Sequence, residues 1–67
     1  MKMQDLFNLF KTAIEREQSA QQLYEEMIAG TDDAEARKVL ETFLGQERYH
    51  EEKLKEVYAE LREKLKE

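Results

Sequence analysis

Sixty-seven residues with no cysteine make one small domain at most, with no disulfide to hold a thin core together. Charged residues are 40% of the chain and hydrophobic ones another 40%, enough for an apolar helical stripe but too little for an enclosed globule, so self-association is expected. The net charge of -5 argues against a nucleic-acid partner, whose backbone calls for clustered Lys and Arg.

The chain starts Met1-Lys2-Met3-Gln4-Asp5, which lacks the apolar core of a secretory signal, and no stretch nears the roughly 20 apolar residues of a membrane span. A cytoplasmic location with no membrane partner is the expectation. The first predicted element is a helix over about residues 3 to 29. Met3, Leu6, Phe10, Ala13, Ala20, Tyr24 and Met27 recur at spacings of three and four, flanked by Phe7, Ile14, Leu23 and Ile28.

With no proline and only two glycines, the one cluster of turn-forming residues is Ala29-Gly30-Thr31-Asp32-Asp33. Gly30 is expected to close the first helix in a left-handed conformation, and Asp32 to cap the next one with Glu35 as its capping-box partner. The second helix is predicted over about 33 to 65, with the seam Ala36, Leu40, Phe43, Leu54, Val57 and Leu61 flanked by Val39, Leu44, Tyr58 and Leu65. The fold class is therefore all-α. One antiparallel two-helix hairpin spans residues 1–67 as a single domain, and it buries its wide apolar face by dimerising into a four-helix bundle.

Three polar residues interrupt the seams. Glu17 lies seven residues from both Phe10 and Tyr24, Glu47 seven from Leu40 and Leu54, and His50 seven from Phe43 and Val57. All three are expected to point into the bundle, where an ionised carboxylate is costly unless a charge or a metal compensates it. Glu47 and His50, three apart, reach one ion from one helical face, and carboxylate and imidazole suit divalent transition metals. All three are near mid-helix, so a two-fold axis across the bundle gathers four Glu and two His, whose four negative charges two divalent cations neutralise. Thirteen Glu among 67 residues make the bare Glu47–His50 spacing weak on its own. Seam position is what singles it out.

The segments Glu17-Gln18-Ser19-Ala20-Gln21-Gln22-Leu23-Tyr24 and Glu47-Arg48-Tyr49-His50-Glu51 resemble the rubrerythrin-like branch of the ferritin-like superfamily, which are di-iron carboxylate proteins. The resemblance implies Glu17 as a terminal or bridging ligand, Glu47 as a bridging ligand and His50 as a terminal nitrogen ligand. The family usually carries two such helix pairs in one chain, so this chain looks like half a domain. Encapsulated ferritin-like proteins are similar in building the site between two-helix protomers.

The implied cofactor is iron, two ions per dimer, with manganese or zinc as alternatives. The implied partners are a second copy, higher homo-oligomers being conceivable, and oxygen or peroxide as small-molecule substrate. The implied activity is ferroxidase or peroxide- or oxygen-linked oxidoreduction. Two features depart from the family: there is no cysteine for a rubredoxin domain, and Ala20 stands where a further carboxylate is found.

Read from the residues alone, a structural or adaptor hairpin whose polar seam residues fix register is the alternative, as is a metal-dependent assembly module. Tyr24 and Tyr58 are expected to pack in the core and Tyr49 to lie off the seam. Gln21, Gln46 and Glu51 flank the site and are candidates to hold the second imidazole nitrogen of His50, with an ordinary solvated role equally open. Gly45 marks either a close contact or a local distortion beside Glu47.

Overall fold

The computed structural model describes residues 1–66, leaving Glu67 outside the described residues, and among these it contains two α-helices and no strand. α1 is Met3–Gly30 and α2 is Ala34–Lys66. The connection over 31–33 is too short for anything but an antiparallel pair. Ring contacts follow suit: Phe7 meets Tyr58 with centroids 5.3 Å apart, and Tyr24 meets Phe43 at 5.8 Å toward the turn. Both tyrosines thus pack between the helices, while Tyr49 is exposed. The hairpin measures 52 × 16 × 15 Å, its length being that of α2 at about 1.5 Å per residue. No helix among the described residues is long and apolar enough to cross a membrane.

The turn differs from the sequence expectation in both caps. Gly30 is not left-handed; no described residue has positive φ, and α1 runs through Gly30 until Thr31 turns extended at φ -114, ψ 140. Thr31 itself supplies the polar closure, since its carbonyl accepts from the Arg37 guanidinium at 2.7 Å and its hydroxyl oxygen accepts from the Asp33 amide at 3.2 Å. The N-cap of α2 is Asp33 rather than Asp32. Its Oδ1 accepts from the amides of Glu35 (2.9 Å) and Ala36 (3.3 Å), two of the four donors that a helix start leaves unpaired. Glu35 therefore sits one position too early to serve as the capping-box partner.

Within one hairpin only part of each apolar face is covered. The expected seam of α2 included Phe43 and Val57, yet these are 40% and 42% exposed, whereas Leu44, placed on the flank, is 8% exposed and the one buried hydrophobic among the described residues. The row that faces α1 is Ala36, Leu40, Leu44, Glu47, Glu51, Leu54, Tyr58 and Leu61. On α1 the covered flank includes Phe7, Ile14, Gln21 and Ile28, while Leu23 and Met27 are exposed. The hairpin thus has a closed side, packed around Leu44, and an open side bearing Phe43, His50 and Val57.

Gly45 is neither in close contact nor at a break. An added Cβ would meet nothing within 4 Å, and α2 continues through it.

Candidate metal centre

Antiparallel pairing dictates who meets whom at mid-height. Tyr24 of α1 packs on Phe43 of α2, so the residue one heptad before the first lies opposite the residue one heptad after the second. Those residues are Glu17 and His50. A further heptad brings Phe10 beside Val57, and both line an open groove of about 460 Å³ together with Glu17, His50, Lys53 and Leu54. Glu47, three residues before His50, projects from the row facing α1.

The three residues singled out in the sequence come together within one chain. Nδ1 of His50 is 3.7 Å from Oε2 of Glu17 and 4.0 Å from Oε2 of Glu47, and one ligand atom from each lies within 4.8 Å of the others. The carboxylates are largely covered, their side chains 22% and 21% exposed, whereas the imidazole is 54% exposed on the open side. In the isolated hairpin His50 is therefore at the surface, on the Phe43 side of α2, where α1 covers less than it does on the Leu44 side.

Glu17 carries the electrostatic tension of the site. Its Oε2 is buried and has no hydrogen-bond partner, since 3.7 Å to the imidazole is too long for such a bond. Burying a carboxylate oxygen without a donor costs free energy, and a cation in the gap removes that cost. Two oxygens and one nitrogen suit a divalent transition metal, and the two carboxylate charges balance one such ion. Donors around an ion with bonds of about 2.1 Å lie roughly 3 to 4 Å apart, so the observed spacing closes onto a metal by small side-chain rotations.

One turn along α2, a third carboxylate has the opposite surroundings. Glu51 accepts from Gln18 Nε2 at 2.8 Å and from Gln21 Nε2 at 2.7 Å, and pairs with Lys55 Nζ at 2.7 Å. These contacts, Lys55 first, then Gln21 and Gln18, hold its carboxyl well below the usual 4.5, at about 2. Gln21 and Glu51 are thus bonded to each other across the helices, which is neither of the two roles left open for them in the sequence. From the sequence, an ordinary solvated role stood equally open for Glu51. Its spacing of seven from Leu44 and from Tyr58 was the signal that it faces α1.

Arg48 and Glu25 add a cross-helix ion pair at 3.2 Å, both side chains more than half exposed, which contributes little. Neither a family model nor a curated protein nor a solved structure matches the chain.

Proposed function

We propose that this chain is a metal-binding protein of the rubrerythrin-like, ferritin-like kind, in which two hairpins pair by their open sides into a four-helix bundle and join two Glu17–Glu47–His50 sets into a di-metal centre. The observation that carries this reading is the buried, unpartnered Oε2 of Glu17 aimed at His50 and beside Glu47. A chain that needed only packing would gain by having Leu there. Pairing is supported by the apolar surface that one hairpin leaves bare, including Met27, Val39, Phe43 and Val57, each at least 40% exposed. Position supports it as well. Glu17 is near the middle of α1 and His50 near the middle of α2, where a two-fold axis across the helices would bring both sets together.

Iron is the proposed metal, two ions per dimer, and the same donors accept manganese or zinc. Bound iron would supply one-electron redox chemistry for ferroxidase or peroxide- or oxygen-linked oxidoreduction. The chain's own residues have simpler tasks. Glu17 and Glu47 provide oxygen donors and cancel the ion's charge, while His50 provides nitrogen in its neutral form. Phe10, Leu54 and Val57 line one side of the site with hydrocarbon.

Anaerobic Fe(II) titration tests the reading. The native protein should take up about one ion per chain, and Glu17→Ala or His50→Ala should abolish tight uptake. Undiminished stoichiometry in both variants would remove the site. The bare open side favours a second reading, a structural or adaptor hairpin. In that case Glu47→Leu and His50→Leu would raise stability in a protein whose melting never responds to metal.

A further inference from the structure

Glu51 is not placed to bind the metal, because both its oxygens are already engaged by side chains. What it engages matters more. Gln18 directly follows Glu17, and Gln21 lies one helical turn beyond it, so the two amides that Glu51 accepts from bracket the turn of α1 that begins at Glu17. On α2, Glu51 directly follows His50 and lies one turn beyond Glu47. A single carboxylate thus ties together the two backbone segments that carry all three proposed ligands.

Other contacts between the helices cannot fix the same geometry. The ring contacts of Phe7 and Phe10 with Tyr58, and of Tyr24 with Phe43, are broad apolar packings that tolerate sliding and rotation. The Arg48–Glu25 pair is exposed on both sides. Two hydrogen bonds of 2.7 and 2.8 Å to one carboxylate, whose side chain is 16% exposed, are directional, and the one from Gln21 is part-buried between the helices.

We infer that Glu51 is the positioning residue of the metal site, gripping Gln18 and Gln21 so that α1 keeps the rotation and height at which Glu17 meets His50 and Glu47. This rests on the metal-site reading above, and it explains why a carboxylate occupies a half-buried place between Leu44 and Tyr58 where an apolar residue would pack.

The test uses Co(II), whose absorption reports its ligand geometry, on the full chain with Glu51→Leu and Glu51→Gln, together with nuclear Overhauser contacts between Glu17 and His50 in the metal-free protein. Glu51→Leu should melt no lower than the native protein, yet bind Co(II) about tenfold more weakly with an altered spectrum and lose the Glu17–His50 contact. Glu51→Gln, which keeps one acceptor oxygen, should recover most of both. A residue with a merely structural role would move the melting temperature and leave affinity, spectrum and contact alone, and that result would overturn the inference. Should Glu51→Leu fail to fold, the double variant Gln18→Ala, Gln21→Ala removes the grip from the other side, with the same loss expected and unchanged binding again decisive against it. If the native chain takes up no Co(II), the metal reading falls, and the Glu17–His50 contact still decides whether Glu51 sets the helix register.

Discussion

Glu51 and Glu17 lie at the same height of the hairpin, on opposite sides of it, and have opposite fates. Glu51, on the closed side, is met by two glutamine amides and a lysine. Glu17, toward the open side, buries an oxygen that accepts no hydrogen bond among the described residues, His50 Nδ1 standing off at 3.7 Å. The contrast teaches that this chain has the means to satisfy an inward carboxylate and does not apply them at Glu17. An orphaned acceptor beside a second carboxylate and an imidazole is an arrangement that a bound cation would satisfy, whereas the carboxylate of Glu51 is already satisfied within the hairpin.

The closed side should carry most of the fold. Leu44→Ala is expected to cost about 2 to 3 kcal/mol in urea unfolding, independent of protein concentration. Phe43→Ala, one residue away but on the open side, should act mainly on association, so that its effect grows on dilution. Equal, concentration-independent losses from the two would erase the distinction between the sides.

Next in size is Glu17→Leu. Removing the orphaned oxygen should stabilise the metal-free protein by about 1 to 2 kcal/mol and eliminate any rise in melting temperature on adding metal. If the variant is destabilised without metal, Glu17 is satisfied in a way the contrast with Glu51 does not allow. Gly45→Ala, with open space around its added Cβ, should stabilise by up to about 1 kcal/mol through helix propensity. A loss of stability there in concentrated protein only would reveal a neighbouring subunit at that face.

The smallest effect concerns pH. Glu51 titrates at about 2 in the folded chain against an ordinary 4.5, so its contribution to stability is fully present above 4.5 and fades as pH falls toward 2. Glu51→Gln should therefore flatten the acid side of the stability profile between those limits, as followed by urea midpoints. An unchanged acid limb would show that the carboxylate is not gripped in solution.

Much of this was legible in the sequence. Spacings of three and four placed both helices within about one residue of their ends, and the turn cluster located the connection. Heptad position picked out Glu17, Glu47 and His50, which the structure brings within 4.8 Å of one another. What the pattern left undecided was the choice between two adjacent rows of α2, Phe43–His50–Val57 and Leu44–Glu51–Tyr58. Both rows are apolar apart from one polar residue, and periodicity alone does not say which row a partner helix covers. The row actually covered contains Glu51, for which the sequence left a solvated role as open as any other. The caps were missed for a local reason. Two adjacent aspartates compete for one capping position, and the one nearer the helix wins.

The most direct test of the central claim is native mass spectrometry of the protein loaded with Fe(II) under inert gas. The account predicts a dimer carrying two metal ions that Glu17→Ala cannot retain; a chain that stays monomeric, or a dimer that holds no metal, would contradict it.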